Sequence, residues 1–359
     1  MAYVNSIVAR MATMLLDSSV LFTKRARLSR KTRLDRRSLA FVMKVSVIIP
    51  TYNRGYILHE ALESVLNQTH RDFEIVVVDD CSTDNTFKIV KSFASDSIRY
   101  IRHEENRRYS AACNTGVSAA TGQLVAFLDS DDLWKADYLE RQTNFLSRFP
   151  QIGASFTDTE IRGENLHIKS LISQVKSFSK HLDVNQKGKE YVFAARDVYL
   201  CLLEEIPIKP SALVARRELF ERLGGFDETW PSGTDWDLLL RFSRSTSFGY
   251  IDSPLVVQRR TRDATHQLFF EQDKLFLLEV FIKEKATVLN DHEALRAINR
   301  GISNHCRNLG HYYLHSGARK NSIVTYLRGF RETRDPMMIA RAVAASMSVG
   351  LRNSVRARL

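Results

Sequence analysis

From Val45 to Phe149 the chain alternates short β-branched runs with helical stripes four times, and this alternation constrains the fold more than any other feature. Residues 45–50 (Val-Ser-Val-Ile-Ile-Pro) read as a buried strand ended by proline. Residues 56–67 follow with a helical stripe of Ile57, Leu58, Ala61, Leu62, Val65 and Leu66. The pattern then predicts strands at 74–79, 98–101 and 124–128, and helices at 84–93, 109–120 and 135–149, the last stopped by Pro150. Such alternation predicts a doubly wound, mainly parallel α/β sheet with right-handed crossovers. Ligands of these sheets bind at the carboxyl ends of the strands, here the loops 50–55, 79–84 and 129–134.

Those loops exclude two nucleotide folds. The first strand is followed by Pro50-Thr-Tyr-Asn-Arg-Gly55 rather than G-x-G-x-x-G, and no G-x-x-x-x-G-K-[ST] occurs. What stands there instead is acidic. Asp129-Ser-Asp131-Asp132 crowds three carboxylates into four residues at the end of a strand, which is costly unless a cation is shared. Oxygen ligands of this kind suit Mg²⁺ or Mn²⁺, which take one or two carboxylates and complete their shells with water and phosphate. The plainer reading is an acidic helix cap, which needs only one Asp. Asp79-Asp80 ends the second strand, placed to accept from a base N–H or a ribose hydroxyl, and Tyr52 after the first strand offers a ring for base stacking. Each has an ordinary alternative, as turn or packing residue.

Four blocks together carry a resemblance: Val45-Ser-Val-Ile-Ile-Pro-Thr-Tyr-Asn-Arg, Val76-Val-Val-Asp-Asp-Cys-Ser-Thr-Asp, Ala112-Cys-Asn-Thr-Gly and Phe127-Leu-Asp-Ser-Asp-Asp. In this order and spacing they resemble family 2 glycosyltransferases of GT-A fold, over about Val45 to Val257. The resemblance implies a nucleotide-sugar donor, most often a UDP-sugar, and inverting transfer. It implies that Pro50, Tyr52 and Asp80 frame the base. Asp129 and Asp131 become the ends of a D-x-D element that grip ribose and metal-diphosphate, with Asp132 in support and Mn²⁺ or Mg²⁺ as cofactor.

After Pro150 the pattern loosens. Residues 158–196 read as a polar, variable insertion over the site, 210–215 as a strand and 217–223 as a helix closed by Gly224-Gly225. Asp235 then opens an amphipathic helix. Direct displacement needs one base for the acceptor hydroxyl, and a carboxylate beside an aromatic suits that role. Residue chemistry alone equally allows a helix-terminal carboxylate. The resemblance implies that Asp235 is the base, although Thr234 stands where the family usually carries Glu; Asp237 is the runner-up. It also offers His266 as a metal ligand, displaced from its usual place by the intervening run from Arg259, or as an ordinary surface histidine. Arg259, Arg260 and Arg262 either neutralise the diphosphate or coat the surface. Trp230 and Trp236 are expected beside the acceptor pocket. From 264 onward the chain reads as helices at 267–286, 292–316, 320–332 and 337–348.

The formal charge of +11 lies in the tails. Residues 1–42 and 316–359 each hold nine Lys/Arg and two Asp/Glu, whereas 43–315 hold 34 and 37. The expected organisation is a basic extension (1–42), a GT-A catalytic domain (43–262, with a donor half 43–150 and an acceptor half 151–262) and a C-terminal helical region (263–359). No run reaches the ~18 apolar residues of a spanning helix. The extension reads either as an upstream segment outside the fold or as a basic membrane-surface arm. Four separate cysteines without C-x-x-C exclude a zinc ribbon and argue against a disulfide scaffold. The partners expected are a nucleotide-sugar, a carbohydrate or lipid-linked acceptor and an anionic membrane surface, with no nucleic acid; the location expected is cytoplasmic, at the inner membrane face. A sugar-phosphate nucleotidyltransferase would need a Gly-rich, basic loop after the first strand, which 50–55 does not supply. A non-catalytic membrane binder would leave the carboxylates without a role.

Overall fold

The computed structural model describes residues 43–356 except 180, 181, 183–188 and 261–263, with side chains described outside 264–273 and 347–356. All of these residues fall in one compact unit. In chain order the elements are β1 (Val45–Thr51), α1 (Leu58–Leu66), β2 (Phe73–Asp79), α2 (Thr86–Ser92), β3 (Ile98–Arg102), α3 (Arg108–Ala119), β4 (Leu124–Phe127), β5 (Leu133–Trp134) and α4 (Tyr138–Arg148). There follow β6 (Ile152–Gly163), β7 (Leu166–Ile168), α5 (Lys176–Ser179), β8 (Glu190–Phe193), α6 (Ala195–Leu202), β9 (Leu213–Arg216), α7 (Arg217–Leu223), α8 (Thr234–Ser245) and β10 (Ser247–Arg260). Four helices close the chain: α9 (Ala264–Thr287), α10 (His292–His315), α11 (Arg319–Thr333) and α12 (Pro336–Arg356).

One sheet runs in the order β3-β2-β1-β4-β9-β6-β10-β5, with β7 on β6 and β8 on β10. β3, β2, β1 and β4 are parallel, as the alternation predicts. β9 enters antiparallel to both β4 and β6, and β6 runs parallel to β10. Both faces of the parallel half are covered, so its strands are continuous hydrophobic runs. Ile48, Val76, Val78 and Phe127 pack into one apolar cluster; Val47, Ile49, Val77 and Ala126 pack into the other. Helix α3 lies tight on β1 because Gly116 has no side chain: a Cβ there would stand 2.3 Å from Ile48 Cγ2.

The register fixes the site. Pro50 is level with Val78 and Thr51 with Asp79, and Ile48 is level with Phe127. The loops after β1, β2 and β4 therefore leave the sheet at one edge.

The expected polar insertion at 158–196 is only partly that. Its first residues continue β6, which stays buried to Ile161 between β9 and β10. The polar run Thr157-Asp-Thr-Glu160 disguises the strand, because the side chains of Thr157, Asp158 and Glu160 are paired internally. Asp158 accepts from the N–H groups of Thr159 (2.7 Å) and Ile172 (3.0 Å), and Glu160 from Arg162 (2.8 Å). The C-terminal helices pack on the sheet domain through α6. A Cβ on Gly301 would meet Leu203 O at 2.2 Å, and Arg196 pairs with Asp291 at 2.6 Å.

Candidate active site

The loops after β1 and β2 are stapled to each other. Asn53, in the left-handed region at φ 52°, donates its N–H to Ser82 Oγ at 2.8 Å and accepts from Thr83 N at 2.7 Å through its side chain. Gly55 N donates to Asp84 Oδ2 at 2.9 Å, and a Cβ on Gly55 would meet Asn85 Oδ1 at 2.1 Å. Tyr52 is left 47% exposed at the sheet edge. Pro50 is buried past the last β1–β4 pair, so its missing N–H removes no bond to β4.

Asp80 is buried, 4% exposed, and its oxygens are occupied. Oδ1 meets His103 Nδ1 at 2.7 Å and accepts Arg107 N at 2.8 Å; Oδ2 accepts Arg108 N at 2.7 Å. Its carboxylate thus braces the start of α3. Asp79 accepts from Ser82 N at 2.8 Å and from the Tyr100 hydroxyl.

Beyond β4 the three carboxylates take three different roles. Asp132 is fully buried, accepting from Ser211 Oγ (2.7 Å) and Arg259 N (3.1 Å). Burial, then the charges of Asp129 and Asp131, push its carboxyl well above the usual range. Asp129 accepts from Tyr109 OH at 3.0 Å, and burial, with Asp131 and Asp235 nearby, lifts it to about 7. Asp131 is the open one, with Arg54 Nη2 at 3.7 Å. Arg259 braces the group from β10: its side chain donates to Asp131 O and, at 2.7 Å, to Glu60. Its Nη2 is buried without a hydrogen-bond partner among the described residues. Of the three arginines expected here, Arg259 is therefore a brace, Arg260 is exposed at the strand end, and Arg262 lies outside the described residues.

Among the described residues no three His, Cys, Asp or Glu side chains converge as a protein-only metal cage. One open carboxylate with an unpartnered guanidinium N–H nearby fits instead a Mg²⁺ or Mn²⁺ ion that completes its shell with diphosphate oxygens. His266 falls in α9, but its side chain lies outside the described residues.

Asp235 sits in the first turn of α8, which enters through Gly233 at φ 72°. It lines a recess with Lys209, Pro210, Phe127, Phe226 and Leu238. Burial pushes the Lys209 amine down, while the Asp235 charge opposes that shift. Asp237 faces elsewhere and is held by Arg241 at 2.8–2.9 Å, which also donates to Leu223 O and Gly225 O. Trp236 does not border a pocket as expected. It is 3% exposed, donates to Leu202 O at 2.8 Å and stands edge-on to Phe281. Trp230 is partly buried under Lys283, whose Nζ is 5.1 Å from the ring centroid. The loop before α8 is tied to α3 by Asn114, which accepts Phe226 N (2.9 Å) and donates to Phe226 O (2.9 Å) and Glu228 (2.8 Å).

Sequence reasoning missed Lys209, Ser211, Tyr109 and Arg54. The first two belong to a Pro-flanked segment with no periodicity, and only the topology, which inserts β9 beside β4, carries them to the carboxylates.

The model of the family described as Glycosyl transferase family 2 matches residues 46–206. The putative teichuronic acid biosynthesis glycosyltransferase TuaG of Bacillus subtilis is 43% identical over 104 residues, 28% of this chain and 41% of that protein. The chain spans 32% of the length of curated glycosyltransferase relatives that match it over 219 residues. S. aureus TarS 1–349, solved with UDP-GlcNAc, superposes at TM-score 0.58 and 20% identity, covering 81% of this chain and 82% of that one. The Pyrobaculum calidifontis mannosyltransferase PcManGT, solved with GDP-Man and Mn²⁺, does so at 0.51 and 21%, covering 86% and 87%. With this sheet order and these four blocks, the chain has the GT-A fold, and its residues 46–206 match glycosyl transferase family 2.

Proposed function

We propose that this chain transfers a sugar from a nucleotide-sugar, a UDP-sugar foremost, to an acceptor hydroxyl with inversion at the anomeric carbon. The observation that carries the reading is that Asp235 lines a recess with Phe127, the last residue of β4, and that Asp129 and Asp131, the open carboxylate, follow that strand. This supports a donor-binding carboxylate and a base candidate serving one reaction. Asp235 takes the acceptor proton as the hydroxyl attacks. Tyr52 stacks on the base, with Pro50 and Asp80 shaping that end of the pocket. Asp80 acts there through the α3 start that it braces, and Asp129 meets the ribose.

Asp131 would hold Mn²⁺ or Mg²⁺, with His266 as the second candidate ligand. When bound, the ion supplies charge stabilisation to the leaving diphosphate. Arg54 and Arg259 add fixed positive charge beside it. The two solved neighbours with UDP-GlcNAc and with GDP-Man and Mn²⁺ support a nucleotide-sugar donor and a divalent ion. TuaG supports an acceptor in cell-surface polysaccharide synthesis, a carbohydrate or its lipid-linked precursor.

No helix among the described residues is long and apolar enough to cross a membrane. Exposed Val324, Leu327, Met337 and Val343 lie in the strongly basic region 316–359, which supports peripheral docking of α11 and α12 on an anionic inner membrane face.

The deciding experiment incubates the protein with Mn²⁺ and UDP-, GDP- and dTDP-sugars, follows nucleotide release and transfer, and reads the product anomer by NMR. Inverted product, lost in Asp131→Ala and Asp235→Asn, is the expected result. Retention of configuration, or full activity in both variants, would overturn the reading.

A further inference from the structure

Arg108 combines two features that stability alone does not favour. Its φ is 71°, in the left-handed region that glycine occupies freely and other residues only at a cost. Asp80 holds it there through the N–H groups of Arg107 and Arg108, so the backbone conformation is imposed from the donor side. Its side chain is exposed, and its guanidinium makes no hydrogen bond or ion pair with any described residue. A glycine would suit the backbone better, so the side chain is the part that needs a reason.

That side chain lines a cleft of about 380 Å³ with Pro231, Leu275, Phe276 and Glu279. Glu279 is already neutralised by Arg328 at 2.6 Å, so Arg108 is the unbalanced charge of the cleft among the described residues. The cleft lies a few residues in the chain from the base candidate, through Pro231. Pro231 lies in the loop that leads through Gly233 into the first turn of α8, where Asp235 sits, and Gly233 packs on Leu277 of α9, where an added Cβ would stand 3.0 Å from Leu277 Cδ2. On the other side, Tyr109 bonds Asp129. An acceptor lying here would present its hydroxyl between the donor carboxylates and Asp235.

We infer that Arg108 anchors the acceptor, and that the acceptor carries an anionic group, phosphate or carboxylate, next to an apolar or ring face. A guanidinium grips such groups through two parallel N–H donors, and Pro231, Leu275 and Phe276 supply the apolar contact. This assignment rests on the glycosyltransferase reading for its meaning, because it names the acceptor of that reaction. The anion could come from a phosphorylated sugar or from a phosphorylated lipid.

Calorimetry on the full chain separates these. N-acetylglucosamine 1-phosphate is compared with N-acetylglucosamine, and farnesyl phosphate with farnesol. At least one charged probe should bind about tenfold tighter than its neutral counterpart, and the pair that does so identifies the source. The preference should vanish in Arg108→Gly and in Arg108→Gln. Arg108→Gly also relieves the backbone, so its Tm should not fall, and its UDP affinity should match wild type because only the Arg108 backbone meets Asp80. No charge preference in wild type, or a preference that survives both variants, would overturn the assignment. Failure of the wild type to bind UDP with Mn²⁺ would instead remove the glycosyltransferase reading, since the acceptor probes are measured without donor.

Discussion

The Ser211 hydroxyl donates to Asp132 Oδ2 at 2.7 Å and accepts the backbone N–H of Asp129 at 3.1 Å, so one side chain from the turn before β9 sets the relative position of two carboxylates after β4. Ser211 is fully buried, and its carbonyl accepts Trp134 Nε1 at 2.7 Å. Ser211→Ala leaves both the Asp132 oxygen and the Asp129 N–H short of a partner in a dry environment. The expected loss is about 1–3 kcal/mol, the usual cost of an unsatisfied buried polar group. A urea midpoint that falls at unchanged m-value checks it. Ser211→Thr, which keeps the hydroxyl, should recover part of the loss.

Asp235 and Asp237 lie two residues apart, and their surroundings separate their roles. Asp237 is pinned by Arg241, which in turn closes α7 through Leu223 O and Gly225 O. Asp235 opens onto the recess with Lys209. Asp235→Asn should lower kcat by about 10²–10⁴, the range of general-base catalysis, with donor binding intact. Asp237→Asn should lower Tm and leave most of kcat. The reverse pattern in steady-state kinetics and thermal melts would exchange the assignments.

The parallel half was legible because buried strands of Val and Ile alternate with amphipathic helices, and both patterns are local. The parallel run of β1, β2 and β4 and the position of Asp129 and Asp131 after β4 follow directly, whereas the order of the strands does not. Residues 158–161 were obscured because Asp158 and Glu160 are buried yet satisfied, a pairing that hydropathy cannot register. An aromatic beside a carboxylate suggests sugar packing, which points Trp236 at a pocket. The helical period instead turns it into the core against Phe281. Lys209 and Ser211 reach the site only through long-range pairing of β9, which no local pattern encodes.

His305 offers a pH test away from the site. It is packed near Phe281, its Nε2 lies against Lys274 O, and burial pushes its pKa down to about 4. The unfolded chain titrates this group near the ordinary value of about 6.5, so below that pH it binds a proton the native state refuses. Stability contributed by neutral His305 is therefore complete above about 6.5 and is lost as pH falls toward 4. The slope is at most about 1.4 kcal/mol per pH unit for one proton. Denaturation of His305→Gln between pH 4 and 7 should show a shallower dependence than wild type, whatever its absolute stability.

Lys209 lies in an apolar recess with Asp235, within electrostatic reach of Asp132 as well. A cation there favours the ionised form of Asp235, which a base requires, against the desolvation imposed by Phe127, Phe226 and Leu238. Lys209→Met keeps the length and removes the charge. The acid limb of the kcat/KM profile should then move to higher pH, with activity at pH 6 reduced about tenfold for each unit of displacement and recovered at alkaline pH. Lys209→Arg, which keeps the charge, should restore the limb. If Lys209 served only to hold the donor diphosphate, Lys209→Met would raise the donor KM at every pH and leave the limb in place, so a profile measured over pH 5–9 decides between the two roles.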